Sequence, residues 1–227
     1  MPNKAKLYIS CVIAAGALTL VAALYQWESA GLPRFLSYLL LAILAATLKV
    51  RLPGITGTFS LSFLFVLIGV ADLGFAETVA VGCAATLAQS LWHARQRPTL
   101  VQVLFNVANL AVSIAACFAV SRLALGQLRA ENLPLALALA ASVFFVANTV
   151  LVSGVLALLE NKTFMDVWAR WFLWCFPYYL AGAAIAGVVS FSSRHVNWQS
   201  ALLAMPLAYL VYFHYHLYMD RQTRTAC

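Results

Sequence analysis

The composition of this 227-residue chain excludes a soluble globular domain. Hydrophobic residues make up 64% of the chain and charged residues 9%, whereas about a quarter of the residues of a soluble domain are charged. The net charge of +7 does not indicate nucleic-acid binding, because the cations stand in small groups between apolar runs rather than in one basic patch. The composition therefore predicts an all-α polytopic membrane bundle.

Eight apolar segments follow one another along the chain, each near the roughly 20 residues that a membrane span requires. They cover residues 7–25, 35–48, 58–71, 75–92, 99–121, 133–159, 171–190 and 199–219. The third is short and opens with Thr58, Ser60 and Ser62, so we expect it to begin as irregular backbone packed inside the protein. Residues 160–170 mix charges with aromatics, which predicts an amphipathic turn at the membrane surface.

The basic residues predict the orientation of these segments. With a cytoplasmic N-terminus, ten of the 14 lysines and arginines lie on the cytoplasmic side and four lie outside. Cytoplasmic loops of membrane proteins carry such an excess. We therefore predict eight transmembrane helices with both termini in the cytoplasm, forming one membrane domain, residues 1–219, followed by a short cytoplasmic tail, residues 220–227.

Amide side chains form the predicted site. Gln102, Asn106 and Asn109 recur at i, i+4 and i+7 of the fifth segment, which places them on one stripe of a helix. Gln89 can face them from the fourth segment, and Asn148 lies near the middle of the sixth. An amide without a partner in an apolar medium costs a few kcal/mol. We therefore expect these groups to lie in the interior of the bundle.

Two interpretations of the amides stay open. In the first, they form hydrogen bonds between helices, each contributing roughly 1 kcal/mol. In the second, they line a pocket for a small neutral polar ligand or a lipid, with a tyrosine as an aromatic wall beside a helix kink at Pro177. The candidate ligand-binding residues are Gln89, Gln102, Asn106, Asn109, Asn148, Tyr178 and Tyr179.

Signatures of enzymes and metal sites do not occur in the sequence. It contains no phosphate-binding glycine loop, no G-x-S-x-G, no H-E-x-x-H and no paired-cysteine metal site. His214 and His216 point to different faces of a helix and make a poor metal pair. Asp72 and Glu77 lie at segment boundaries, where helix capping and solvation account for carboxylates. We predict a non-enzymatic protein with no cofactor and no metal.

Several stretches of the chain are similar to a known family of membrane regions. They are residues 48–60 (LKVRLPGITGTFS), Glu77 with residues 82–89 (GCAATLAQ), and residues 102–108 (QVLFNVA), 176–180 (FPYYL) and 198–203 (WQSALL). In these stretches the chain resembles the MASE-type sensory region that precedes diguanylate cyclase or HD-GYP phosphodiesterase domains in bacterial signalling proteins. The resemblance implies a sensor in the bacterial inner membrane that acts in cyclic-di-GMP signalling. The sequence stops soon after Met219-Asp220-Arg221, so the catalytic activity of such proteins is not carried over, and we expect a stand-alone member or a fragment.

The leading functional hypothesis is a membrane-embedded sensory or ligand-binding module that passes a signal to a cytoplasmic output. The alternative is the substrate-binding subunit of a vitamin-type (ECF-like) uptake transporter, because small helical bundles with amide-lined pockets also suit that task. The expected partners are the lipid bilayer, a small neutral polar ligand or lipid, and a signalling output domain or protein. A homodimer is one expected assembly, and nucleic acid is not an expected partner.

Overall fold

The computed structural model describes residues 2–27, 31–51, 58–92, 98–125, 133–171 and 173–195, and positions 206, 209, 210 and 213. The helices in these ranges are α1 (Asn3–Tyr25), α2 (Leu32–Thr47), α3 (Ser62–Asp72), α4 (Phe75–Leu91), α5 (Leu100–Leu125), α6 (Leu133–Glu160), α7 (Phe164–Trp171) and α8 (Phe176–His195). A short 3-10 helix, Leu173–Cys175, precedes α8. Two strands, β1 (Lys49–Arg51) and β2 (Thr58–Ser60), lie between α2 and α3.

Four of these helices, α1, α5, α6 and α8, are long and apolar enough to cross a membrane. Three further helices, α2, α3 and α4, are also apolar but shorter, with 10–17 residues each. At 1.5 Å per residue, α4 is about 25 Å long and α3 about 16 Å, less than the roughly 30 Å of a bilayer core. The chain is a helical bundle with the features of a membrane protein. The last predicted segment, residues 199–219, lies outside the described residues except at four positions.

The strand pair stands where the sequence predicted irregular backbone at the start of the third segment. Lys49 pairs with Ser60 and Arg51 with Thr58 in an antiparallel register. An extended segment beside an apolar region needs partners for its backbone N–H and C=O groups, and the second strand supplies them. The strand pair thus supplies backbone hydrogen bonds for the start of the third segment, and the helix α3 begins only after it.

The short helix α3 forms the centre of the bundle. All residues from 63 to 69 are buried, and α3 packs against α8, α4, α2, α6 and α5. A helix that is hydrophobic on every face is typical of such a position. Its contact with α8 is tight, since a Cβ atom built on Gly182 would overlap the ring of Phe63. Gly182 therefore lets the aromatic ring rest directly on the α8 backbone.

Local hydrogen bonds set the reversal between α6 and α7. Asn161 adopts a left-handed φ of 52° just after α6, and the N–H of Lys162 donates to the carbonyl of Ala157 at 3.1 Å, the pattern of a Schellman C-cap. The Oγ1 of Thr163 then accepts a hydrogen bond from the N–H of Asp166 at 3.3 Å, which caps the start of α7. The predicted amphipathic turn is in fact a helix, with Val167 buried and its neighbours on the other face exposed.

Pro177 does not kink the middle of a span, and that prediction is wrong. The helix begins at Phe176, directly after the 3-10 helix, so the proline is its second residue. An N–H in the first turn of a helix has no acceptor within the helix, and proline is tolerated there for that reason. Tyr178 and Tyr179 consequently belong to the first turn and a half of α8.

Candidate functional site

Three of the predicted site residues meet in the interior. Asn109 of α5 donates from Nδ2 to Oδ1 of Asn148 on α6 at 2.5 Å. Asn148 in turn donates from Nδ2 to the hydroxyl of Tyr179 on α8, at a longer 3.5 Å. We call Asn109, Asn148 and Tyr179 the amide–tyrosine cluster. The cluster joins three helices that are each long and apolar enough to span a membrane.

Aromatic rings surround the tyrosine of this cluster. The centroid of the Tyr179 ring lies 4.6 Å from that of Phe63, 5.2 Å from that of Phe145 and 6.1 Å from that of Phe144. Such a low-dielectric setting strengthens the hydrogen bonds of the cluster and raises the cost of breaking them. The backbone carbonyl of Asn109 also has a partner, because it accepts a hydrogen bond from Ser113 Oγ at 2.8 Å.

One acceptor in the cluster is left over. Asn109 is only 4% exposed, and its Oδ1 atom has no hydrogen-bond partner among the residues that the structure describes. A buried polar atom without a partner costs roughly 1–3 kcal/mol. A new hydrogen-bond donor to Oδ1, or a rotation of the amide that exchanges Oδ1 and Nδ2, can therefore stabilise the Asn109 side chain.

A second hydrogen bond ties the neighbourhood of the cluster to α7. Trp168 donates from Nε1 to Oγ1 of Thr149 at 2.9 Å, and Thr149 follows Asn148 in α6. The Trp168 ring also contacts that of Phe145, which packs against Tyr179. Sequence reasoning did not pair Trp168 with Thr149. The available signal was a tryptophan in an amphipathic segment, since a buried indole N–H usually finds an acceptor.

Gln102 and Asn106 lie apart from the cluster. The Oε1 of Gln102 accepts a hydrogen bond from the N–H of Thr99 at 2.9 Å, and the N–H of Gln102 donates to Thr99 Oγ1 at 3.4 Å, so the two residues form a capping box for α5. Asn106 is exposed, as are Val101 and Leu104 around it. Phe105 and Ala108 are buried at this level of α5, so the neighbouring helices cover a different face of it than the one that carries Gln102 and Asn106.

The two remaining predicted residues occupy intermediate positions. Gln89 is half-buried near the end of α4, and Tyr178 is half-buried beside Tyr179 in α8. The structure therefore brings together Asn109, Asn148 and Tyr179 and separates them from Gln102 and Asn106. A ligand-binding role stays a prediction for all seven residues.

A buried ion pair forms a second polar cluster, where sequence analysis expected a solvated carboxylate. The Asp72 side chain, at the end of α3, is 1% exposed, and its Oδ2 lies 3.3 Å from Nη2 of Arg34. The hydroxyl of Tyr38 donates to the same oxygen at 3.1 Å, and Arg34 Nη2 donates to Ser193 Oγ at 3.1 Å. Asp72 and Arg34 together thus tie α3, α2 and α8 to one another, and the predicted solvation is wrong because Arg34 folds over the helix end.

The prediction for Glu77 is correct for helix capping and wrong for solvation. Its Oε2 atom accepts a hydrogen bond from the N–H of Gly74 at 3.3 Å, so the carboxylate caps the start of α4 as expected. Glu77 is nevertheless completely buried rather than solvated. The two-residue turn between α3 and α4 brings both carboxylates under neighbouring helices.

Metal chemistry has no candidate centre in this part of the chain. Among the described residues, no three or more histidine, cysteine, aspartate or glutamate side chains are grouped so that they could hold a metal ion.

Comparison of the chain with protein-family models, with curated proteins and with solved structures finds no match.

Proposed function

We propose that the chain is a non-enzymatic sensory module of a bacterial inner membrane that passes a signal to a cytoplasmic output domain or protein. The observation that carries the proposal is the amide–tyrosine cluster, which connects α5, α6 and α8 and adjoins the contact with α7. The similarity of the stretches around residues 48–60 and 102–108 to MASE-type regions of cyclic-di-GMP signalling proteins supports the same function.

The cluster has the properties of an element with two arrangements. An amide group both donates and accepts, so rotation of its plane exchanges the two roles. Asn109 uses its donor and leaves its acceptor unpaired, which keeps an alternative pairing close in free energy. A cue that favours one arrangement by a few kcal/mol is sufficient to shift such an equilibrium.

The signal would run from α7 to α8. Trp168 of α7 bonds to Thr149, the neighbouring Asn148 bonds to Tyr179, and Tyr179 belongs to α8. In the proposed topology of eight spans with both termini in the cytoplasm, α8 precedes the last span and the cytoplasmic tail. A change in how α8 packs against α6 would reach the output through that last segment.

The buried carboxylates support a role outside catalysis. Asp72 accepts hydrogen bonds from Arg34 and Tyr38, and Glu77 caps the start of α4. Asp72 is therefore engaged in joining two helices, and Glu77 in capping its own helix. A general acid or base must instead face the proton that it transfers.

A fusion with a reporter domain tests the proposal. A diguanylate cyclase domain is attached after residue 219, and cyclic-di-GMP is measured in cells that contain equal amounts of each variant in their membranes. We expect Asn148→Leu and Asn109→Leu to change the output several-fold, because each removes the bond between α5 and α6. Ser142→Ala, also in α6, is the matched control, since within the described part of the chain its hydroxyl bonds to its own helix, at Ala138 O, 2.8 Å away.

Two results would contradict the sensory function. One is an output that stays at the wild-type level in both asparagine variants although the fusions are folded and active. The other is vitamin uptake that requires this chain together with an ATPase partner, which would favour the transporter subunit instead.

A further inference from the structure

A groove between α1, α5 and α6 is separate from both polar clusters. We propose that it binds a hydrocarbon chain of a membrane lipid. The groove has a volume of about 170 Å³. Its lining residues are Tyr8, Cys11, Val12, Ala15, Val112 and Leu151. We call it the α1 groove.

Side-chain size along one face of α1 creates the groove. The four lining residues of α1 recur at i, i+3, i+4 and i+7, so they share one face of the helix. Next to them, Gly16 holds α1 close to α5, since a Cβ atom at that position would lie 2.3 Å from the Cβ of Ala108. Beside this tight contact, the short side chains of Cys11 and Ala15 do not fill the space between the helices.

The lining requires an apolar occupant. Its one hydroxyl, that of Tyr8, already donates to the carbonyl of Leu151 at 3.1 Å, and the other lining side chains are aliphatic or a thiol. A polar ligand would lose its bonds to water in this groove and find few partners. An engineered apolar cavity of about 150 Å³ binds benzene, so the α1 groove has room for a hydrocarbon segment of about six carbons.

The position of the groove identifies the source of this hydrocarbon. All three helices that form it are long and apolar enough to cross a membrane. Cys11 and Ala15 are exposed on the outer face of α1, between the exposed Leu7 and Leu18. The groove therefore opens where lipid chains surround a membrane helix, and a chain that enters it covers apolar surface on three helices at once.

Two leucine variants one residue apart test the proposal. Ala15→Leu places a branched side chain in the groove, whereas Ala14→Leu adds the same side chain at an exposed position that does not line it. Each protein is purified in detergent, mixed with 1-palmitoyl-2-oleoyl-phosphatidylglycerol, and analysed by native mass spectrometry. We expect wild type and Ala14→Leu to retain lipid and Ala15→Leu to lose several-fold of the lipid-bound fraction. Equal retention by both leucine variants would overturn the proposal.

Cys11 provides a second, independent readout. It is exposed in the groove, whereas the other described cysteines, Cys83, Cys117 and Cys175, are buried. In wild type, we expect the same lipid to slow the modification of Cys11 by N-ethylmaleimide several-fold, as followed by peptide mass spectrometry. A rate that does not respond to lipid would contradict the site. Efficient disulfide formation between Cys11 residues of two copies, unaffected by lipid, would assign the groove to a helix of a second copy instead. Neither readout depends on the signalling role.

Discussion

At the scale of single residues, Asn109 illustrates how a polar side chain is used in an apolar interior. Its Nδ2 group bonds to Asn148, while its Oδ1 atom remains unpaired among the described residues. The net contribution of the pair is therefore smaller than that of a fully satisfied one, because part of the gain is offset by the buried acceptor. Such a half-satisfied pair is suited to exchange partners.

We predict that Asn109→Ala and Asn148→Ala each lower the free energy of unfolding by about 1 kcal/mol. The double variant should be less destabilised than the sum of the two, because either substitution alone already removes the shared bond. Thermal unfolding in detergent measures all three. Asn106→Ala is the control and should melt like wild type, since Asn106 is exposed. Strict additivity would show that the two amides do not act as a pair.

The buried ion pair makes a stronger prediction at the same scale. Arg34→Gln leaves the buried Asp72 carboxylate without its cation and should cost about 3 kcal/mol, somewhat reduced because the Arg34 side chain is 27% exposed to screening. The double variant Arg34→Leu with Asp72→Leu should be more stable than Arg34→Gln, since it leaves no unpaired charge. Chemical or thermal unfolding of the two variants decides the order. The opposite order would mean that Asp72 finds sufficient hydrogen bonds without Arg34.

At the scale of elements, α7 is the unusual part of the bundle. It has eight residues, and capping bonds fix its entry from α6. Among its described side chains, Trp168 attaches it to the interior by a hydrogen bond to Thr149. A short helix whose described side chains are mostly exposed belongs to the less stable parts of a structure, where local opening costs least.

We predict that Trp168→Phe loosens α7 without unfolding the bundle. The ring is kept, but the hydrogen bond to Thr149 is lost, so amide hydrogen exchange should accelerate in residues 164–171 and stay unchanged in α5. Trp27→Phe is the control, because Trp27 is exposed and its ring meets Phe35 at the start of α2, outside α7. Unchanged exchange in α7 would show that ring packing against Phe145 holds the helix by itself.

At the scale of the whole molecule, the arrangement of the helices alternates in direction. Asp72, at the end of α3, meets Arg34, near the start of α2, and Arg34 in turn bonds to Ser193, near the end of α8. The amide–tyrosine cluster instead joins residues in the first half of α5 and of α8 to the second half of α6. The two clusters therefore lie at different levels along α8, with Tyr179 near its start and Ser193 near its end.

The orientation of this bundle in the membrane follows from the charge distribution. We predict that cysteines at positions 2 and 225, in a protein that carries Cys11→Ala and Cys227→Ala, react with a membrane-impermeant maleimide only after the membrane is opened. The reason is the excess of basic residues on the side that both ends share. Labelling of either position in intact cells would contradict a topology with both termini in the cytoplasm.

The sequence by itself determined where the apolar helices lie and that the amide side chains within them need hydrogen-bond partners. Hydrophobic runs predicted α4, α5 and α6 to within a few residues of their ends, because each run must bury or face hydrocarbon along its whole length. Hydrogen-bonding need also predicted that amide side chains lie inside the bundle, and of the seven residues predicted for one site, Asn109, Asn148 and Tyr179 meet. These properties depend on the chain's own chemistry and on local periodicity.

Only the tertiary structure decided which polar groups lie inside. Gln102 and Asn109 share a stripe of α5, yet one caps the helix and the other is buried, because a stripe specifies a face and not the depth at which neighbouring helices cover it. Asp72 is buried for a related reason, since Arg34 reaches it from α2 and Tyr38, 34 residues earlier in the chain, donates to it as well. The α1 groove likewise arises where three separate helices leave a gap, so the sequence of any one helix cannot predict it.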